Sequence, residues 1–184
     1  MIARSSLLAA LLLLAAPTAQ AGDYTQAPGS TLMFYGNFQG ERFQGQFPGF
    51  ATRMSFDPSA PGEGWLEVVI PLATATLGVE EYDGELRGPA FFDSARFNQA
   101  RYSARGFRSL GGGRFAADGT LSLRGINKPV TLEFSWSPGA RPVLEGKATV
   151  KRLEFGVGGG DWAATETIED AVAIETRVLL EAAD

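Results

Sequence analysis

The chain has 184 residues, with 16 basic and 21 acidic side chains, a formal charge of −5, and neither His nor Cys. These counts exclude Ser-His-Asp triads, Cys nucleophiles, disulfides, and metal or haem sites that need His or Cys ligands. The acidic balance also argues against a nucleic acid partner, because phosphate binding requires a basic patch. We therefore expect a protein that is not an enzyme and carries neither a metal nor a covalent cofactor.

The first 21 residues have the three parts of a secretory signal peptide. Arg4 supplies a positive start, a run of Leu and Ala follows, and an Ala-Gln-Ala triplet ending at Ala21 is a small-x-small cleavage site. A membrane anchor is the weaker alternative, because the apolar run is shorter than the ~20 residues that span a bilayer. We predict that residues 1–21 are removed and that residues 22–184 form one exported domain, located in the bacterial periplasm.

From residue 30 onward, short runs of alternating apolar and polar side chains are separated by Gly, Pro, Asp or Asn. This spacing is typical of an all-β protein whose strands each bury one face. With Glu67 outside, for example, Leu66, Val68 and Ile70 point inside, and a slip of one residue would expose all three. We predict one antiparallel barrel with strands near residues 30–37, 41–47, 49–57, 64–72, 99–108, 114–124, 129–136, 143–155 and 171–182.

The segment 79–97 breaks this pattern. Its acidic start and the spacing of Tyr82 and Leu86 predict a short helix, which Gly88 and the following proline would end. Phe91 and Phe92 follow the helix. We expect a crossover that closes one end of the barrel with an aromatic plug, and the residues leave open whether the plug also touches a ligand.

The strongest single signal is the stretch 119–136, GTLSLRGINKPVTLEFSW, whose two alternating halves predict a hairpin with one apolar face. Pro129 lacks a backbone donor, so we expect it to begin the second strand. "LSLRGINKPVTLEF", with "LRGPAFFDSARFNQARYSA" before it and "ATVKRLEFGVGGGDW" after it, resembles the YceI-like family of exported, lipocalin-shaped isoprenoid-binding proteins. The resemblance extends over residues 24–181. Many members carry His-Leu-Gly after the first strand, where residues 36–45 here read GNFQGERFQG.

From the residues alone, a solid core and an open cavity are equally compatible with the interior, because an eight-stranded barrel lies between the two. The resemblance implies a lipocalin-like barrel with an apolar tunnel for a polyisoprenoid, a quinone tail or another long-chain lipid. Phe38 lies between glycines in a predicted loop, so we expect it to line the mouth of the tunnel, where Arg42, Arg87, Arg105 and Lys128 are candidate head-group contacts. We expect the tunnel to be lined by Phe34, Phe38, Phe43, Phe47, Phe56, Val68, Ile70, Phe91, Phe92, Tyr102, Leu121, Leu123, Leu132, Phe134, Trp136 and Ala148.

Two other classes of function remain open. An interaction protein would have a filled barrel, and relatives of the resembled family accompany membrane cytochromes of the b561 type, which suggests transient contact with a membrane or a membrane protein. An open strand edge would also allow a homodimer. A hydrolase would need a pair of carboxylates, available in this chain from Glu80, Glu81, Asp83 and Glu85. The glycine run 156–160 lacks the Lys of a phosphate loop, so we interpret it as a turn.

Overall fold

A computed structural model describes residues 22–183, and the predicted signal peptide lies outside this range. The described chain folds into eleven β-strands and a helix, α1, at Glu80–Arg87. The strands are β1 Gly22–Gln26, β2 Thr31–Phe38, β3 Glu41–Gln46, β4 Ala51–Phe56, β5 Trp65–Pro71, β6 Gln99–Arg105, β7 Phe107–Gly111, β8 Arg114–Leu123, β9 Ile126–Ser137, β10 Val143–Lys151 and β11 Ala171–Ala182.

Eight of the strands close into a ring in the order β1, β4, β5, β6, β8, β9, β10 and β11, and β11 pairs back onto β1. Every pairing is antiparallel. Closure satisfies the backbone groups that an open sheet edge would leave unpaired. The predicted all-β, lipocalin-like barrel with a short helix at one end is confirmed.

Strand β11 is long enough to pair with two strands in succession. Its end lies beside β1, with Leu180 opposite Gln26, and its start lies beside β2, with Arg177 opposite Thr31. The turn between β1 and β2 is held by Ser30, whose Oγ accepts the backbone N–H of Leu179 at 3.0 Å. β2 then forms a hairpin with β3, and β7 adds to β8 beyond the end of β6.

The hairpin of β8 and β9 corrects one prediction. Its turn is Arg124-Gly125, both with positive φ (52° and 74°), the geometry of a two-residue hairpin turn. β9 begins at Ile126, so the predicted start at Pro129 is wrong by three residues. Pro129 is tolerated inside the strand because β10 pairs with β9 only over residues 133–137, which leaves β9 an edge strand at Pro129.

Other strand bounds also differ from the prediction. Gly106, with φ of 70°, divides the predicted strand 99–108 into β6 and β7. The predicted strand 143–155 ends at Lys151 and continues as a 3-10 turn. Phe38 is the last residue of β2 and does not lie in a loop, because the hairpin turn is Gln39-Gly40. β1 was not predicted, since its five residues do not alternate.

The barrel interior is filled at the end where β4 and β9 finish. Five aromatic side chains, called here the aromatic plug, are Phe56, Phe107, Phe115, Phe134 and Trp136. The Phe56 ring lies 4.9 Å from those of Phe115 and Trp136, edge to face. Each plug residue is at most 9% exposed. The rings contact one another across this end of the barrel, and none of the five residues lines the cavity described below.

Candidate functional site

A cavity of about 510 Å³ occupies the other half of the barrel, between the aromatic plug and α1. This volume falls within the range of roughly 300–1,000 Å³ that small-molecule sites show. The wall is apolar apart from two tyrosines, Trp162 and four further polar side chains, Thr52, Glu85, Arg152 and Thr176. The arrangement favours a hydrocarbon over water or a charged group, because little in the wall can replace hydration. The barrel therefore has a solid core at one end and a cavity at the other.

Most of the predicted ligand contacts come together in the wall of this cavity. Their contact with a ligand stays a prediction, but their placement is clear from the geometry. The residues in the wall are Phe34, Phe38, Phe43, Phe47, Val68, Ile70, Phe91, Phe92, Tyr102, Leu121, Leu123, Leu132 and Ala148.

Phe56, Phe134 and Trp136 do not join them. All three point inward, as the alternation of β4 and β9 predicts, but they lie in the aromatic plug below the cavity floor. Alternation fixes which face of a strand a side chain occupies and says nothing of its depth along the barrel axis. We therefore exclude these three residues from the candidate site.

The cavity is covered by two segments, residues 80–97 and 152–170, called here the cap. The cap supplies wall residues that the sequence reasoning missed. Its segments lack the period of a strand, so alternation gave no signal, although their apolar residues stand out within polar surroundings. These wall residues are Tyr82, Leu86, Phe155, Val157, Trp162 and Ile168.

Arg152 organises the second segment of the cap. It is 4% exposed, and its guanidinium donates hydrogen bonds to backbone carbonyls throughout the segment, among them Val157, Trp162 and Ile168 at 3.0, 2.9 and 2.7 Å. Burial lowers the pKa of this guanidinium. The carbonyl oxygens replace the water lost on burial, so one charged side chain holds the whole segment in place.

The glycine run 156–160 fits around Arg152. A Cβ at Gly158 would come within 2.6 Å of the Arg152 Nη1 atom, and Gly158 has a φ of 64°. The run is therefore a turn built to let the backbone approach a buried guanidinium, which agrees with its interpretation as a turn.

The two segments of the cap are joined to each other and to the barrel. The Gly158 N–H donates to the Ala90 carbonyl at 2.7 Å, and the rings of Phe91 and Trp162 lie 5.7 Å apart. Arg124, in the β8–β9 turn, donates to the carbonyls of Pro89 and Phe91. These contacts close the top of the cavity except along one side.

That open side lies between the end of β2 and α1. Phe38 and Tyr82 belong to the cavity wall and are nevertheless 40% and 59% exposed. Val79, just before α1, is 47% exposed. Large apolar side chains that face both a cavity and solvent mark the rim of an opening.

Tyr102 marks the middle of the barrel. Its ring lies over Gly119, and its hydroxyl donates to the Ala117 carbonyl at 2.7 Å, with the Val130 carbonyl at 3.0 Å. Burial raises the pKa of this phenol to about 12. The hydroxyl is occupied by backbone, so Tyr102 contributes its ring to the cavity and no free polar group.

Among the acidic residues of α1, Asp83 has a structural role. The Asp83 carboxylate accepts hydrogen bonds from Thr76 Oγ1 and Leu77 N, which ties α1 to the loop before it. The Thr76 bond is the main cause that lowers the pKa of Asp83, opposite to what a general acid needs. Glu80, Glu81 and Glu85 are exposed on the surface of the helix.

The predicted basic head-group contacts lie outside the cavity wall. Arg87 donates to the Ala75 carbonyl at 2.9 Å, and Arg42 stacks over the Tyr35 ring at 4.5 Å. Arg105 pairs opposite Trp65 near the aromatic plug, so its assignment to the mouth is wrong. Within residues 22–183 no helix has the length and apolarity to cross a bilayer, and no cluster of acidic side chains could hold a metal ion.

Comparison with known proteins gives matches over most of the chain. The YceI-like domain matches residues 24–180. A UPF0312 protein of Shewanella denitrificans is 34% identical over 134 residues, which cover 70% of this chain and 69% of that protein. A UPF0312 protein of Yersinia pestis is 29% identical over 139 residues, which cover 71% of each.

Two solved structures share the architecture. BcnA of Burkholderia cenocepacia is 26% identical, with a TM-score of 0.79 that covers 82% of this chain and 95% of that one. A polyisoprenoid binding domain from Saccharophagus degradans, implicated in plant cell wall breakdown, is 16% identical with a TM-score of 0.66. It covers 89% of this chain and 100% of that one, and at this identity the likeness is one of fold.

Proposed function

The chain belongs to the YceI-like family, and from this premise we propose that it is a non-catalytic carrier that holds one long-chain lipid in its barrel. The observation that carries the proposal is an apolar cavity of about 510 Å³ with an opening beside Phe38 and Tyr82. A polyisoprenoid binding domain shares the fold, which supports a polyisoprenoid or quinone tail as ligand. The carrier would act in the periplasm, after removal of residues 1–21.

Binding from water would be strong. Burial of one methylene is worth about 0.8 kcal/mol, so a five-carbon isoprene unit contributes on the order of 3 to 4 kcal/mol. Such lipids reside in membranes, however, which are as apolar as the cavity. Transfer from a bilayer gains little, so selectivity must come from cavity shape and from polar contacts.

The rim supports transient contact with a membrane or a membrane protein. Phe38, Val79 and Tyr82 form its exposed apolar part, where a lipid would leave or enter without crossing water. A homodimer remains a prediction. In the described part of the chain, β3 pairs with β2 alone apart from a bridge between Gln46 and Thr76, so its edge is open to a second strand.

The cavity also weighs against the alternative of an interaction protein, because that alternative requires a filled barrel. A membrane redox partner of the cytochrome b561 type remains a prediction. The interpretation of the rim as the opening of the cavity does not depend on such a partner.

The proposal is tested by native mass spectrometry of the protein purified from the compartment to which its own host exports it. We expect a stoichiometric long-chain lipid that is released on denaturation and identified by its mass. A mass without ligand, unchanged after incubation with ubiquinone and prenyl alcohols, would overturn the proposal.

A matched pair of variants assigns the binding to the cavity. Ala148 lines the cavity and Thr149 faces outward from the same strand. We expect Ala148→Phe to fill part of the cavity and displace the lipid, and Thr149→Phe to retain it. Equal retention in both variants would place the ligand outside the barrel.

A further inference from the structure

Two buried polar atoms in the middle of the barrel have no hydrogen-bond partner. They are Thr52 Oγ1, on a side chain that is 2% exposed, and Gln26 Oε1. The Gln26 amide is oriented by its other end, since Nε2 donates to the Phe50 carbonyl at 3.0 Å. A buried polar group without a partner is costly, so each such group in a folded protein requires an explanation.

The two atoms belong to neighbouring positions. The antiparallel pairing of β1 and β4 ends with Thr25 opposite Arg53, and Gln26 and Thr52 are the next residues of the two strands. On its other side Gln26 lies opposite Leu180, which is fully buried, so Gln26 faces the interior as Thr52 does.

Thr52 also lies near the closed end of the cavity, although the wall continues deeper on other strands, at Leu66 opposite Met54 and at Leu144 opposite Trp136. Thr52 is a wall residue, whereas Met54, the next inward position on β4, is not, and the aromatic plug follows. The open rim at Phe38 and Tyr82 is at the other end. A polar group at Thr52 therefore lies near the end of a ligand that enters first.

The other polar groups of the wall are occupied or lie at the rim. The Thr176 hydroxyl donates to the Thr31 carbonyl at 2.9 Å, and Tyr102 and Arg152 bond backbone carbonyls. Thr52 differs from them because its hydroxyl makes no hydrogen bond that a contact with a ligand would have to replace. One staggered step of χ1 exchanges the hydroxyl and the methyl of a threonine, which is sufficient to turn the hydroxyl toward the cavity.

We infer that Thr52 forms a polar subsite near the closed end of the cavity, and that the lipid enters with a neutral oxygen-bearing group first. The inference rests on the proposed lipid-binding function and specifies its ligand as a long-chain alcohol, ketone or carboxamide. Thr52 donates to the ligand oxygen, whereas Gln26 lies outside the cavity wall and is assigned no contact with the ligand. A carboxylate or phosphate is excluded at this depth, because Arg53 is exposed and no cation faces the subsite to balance its charge.

The test compares dodecan-1-ol, dodecanamide, dodecanoate and dodecane, which share one hydrocarbon chain, as competitors of N-phenyl-1-naphthylamine fluorescence. The protein is used as wild type and as Thr52→Val, which keeps the shape and removes the hydroxyl. Thr176→Val is the matched control, since it removes a hydroxyl of the same wall that is already bonded. Circular dichroism checks that each variant is folded.

We expect Thr52→Val to bind the alcohol and the amide about two- to tenfold more weakly than the wild type does, the range of one neutral hydrogen bond, while dodecane affinity is unchanged. Thr176→Val should bind all of these ligands as the wild type does. In the wild type, dodecanoate should bind more weakly than the alcohol. Alcohol and amide affinities that are the same in Thr52→Val and the wild type would overturn the inference alone. If folded wild type binds none of the probes, the proposed function fails with it.

Discussion

The two halves of this barrel are built by the same alternation and have opposite interiors. At one end the inward positions carry aromatic rings, and Phe56 contacts four of them in the aromatic plug. At the other end inward aromatic residues such as Phe34 alternate with small ones such as Ala100 and Ala148, and a cavity of about 510 Å³ remains. The volume of the inward residues, and not their hydrophobicity, decides whether a barrel of eight strands is a core or a container.

The two halves of the barrel also have different roles, since one provides stability and the other provides space. The plug provides packing, which tolerates little change in volume. The cavity end contributes less packing, and the cap supplies order there through the hydrogen bonds of Arg152. Substitutions should therefore have unequal effects at the two ends, and the following predictions range from the largest to the smallest effect.

Phe56→Ala should have the largest effect on stability. It removes the central ring of the plug, and truncation of a buried Phe costs about 3–5 kcal/mol when the surroundings cannot collapse. Phe47→Ala is the matched change at the cavity wall, and its cost should be smaller because it enlarges space that is already open. Urea unfolding measures both. Equal losses would show that the two halves do not differ in packing.

Arg152→Met should loosen the cap. The carbonyls of Val157, Trp162 and Ile168 would lose a charged donor, and because this segment can then open to water by itself, the effect should be local and smaller for global unfolding. Hydrogen exchange should show faster exchange within residues 152–170, with the plug strands protected as before. Arg114→Met, on the exposed surface, is the control. Unchanged exchange in the cap would mean that Arg152 does not hold it.

Two Gly→Ala substitutions test the difference in packing between the plug end and the cavity end, because each adds a methyl group to one of them. A Cβ at Gly64 would lie 2.5 Å from the Phe107 ring and 2.8 Å from the Ser55 carbonyl, so Gly64→Ala should cost about 1–3 kcal/mol. A Cβ at Gly45 would collide with the Phe34 ring, which can move into the cavity. Gly45→Ala should cost less and should weaken binding of a fluorescent lipid probe. A larger loss in Gly45→Ala would contradict the contrast.

Tyr102→Phe should have the smallest effect, about 1 kcal/mol, from the loss of one hydrogen bond. The raised pKa of about 12 adds a pH dependence. Because the unfolded phenol ionises near 10, the contribution of Tyr102 is complete below pH ~10 and is lost as pH rises through about 12. Absorbance at alkaline pH should show a phenol that ionises near 12 in the wild type and not in Tyr102→Phe. Its presence in the variant would assign that titration to another tyrosine.

The sequence predicted the architecture well because its signal is periodic. Alternation identified the inward faces of β5, β10 and β11, and the acidic start and Gly88 located α1. It failed at Pro129, where the lack of a second neighbour permits a proline, and at Gly106, where one residue with positive φ divides a strand. Both depend on which strands lie side by side, a long-range property that local patterns do not contain.

The candidate site was predicted only in part, again because local patterns contain no long-range information. Alternation selected inward residues such as Phe34 and Phe134 without regard to depth, and the structure assigns the first to the cavity and the second to the plug. The role of Arg152 was missed, because a buried guanidinium bonded to carbonyls leaves no mark in a sequence. The signal peptide remains a prediction, since residues 1–21 lie outside the described chain.

The seam between β1 and β11 has a consequence for the time course of folding. Tyr24 lies opposite Ala182, so the barrel closes only through residues that are far apart along the polypeptide. Contacts of such long range slow folding, because the entropy of loop closure is lost before the contact forms. A growing chain of this protein therefore remains open until its residues near 182 have been synthesised, which is the state in which polypeptides thread narrow channels.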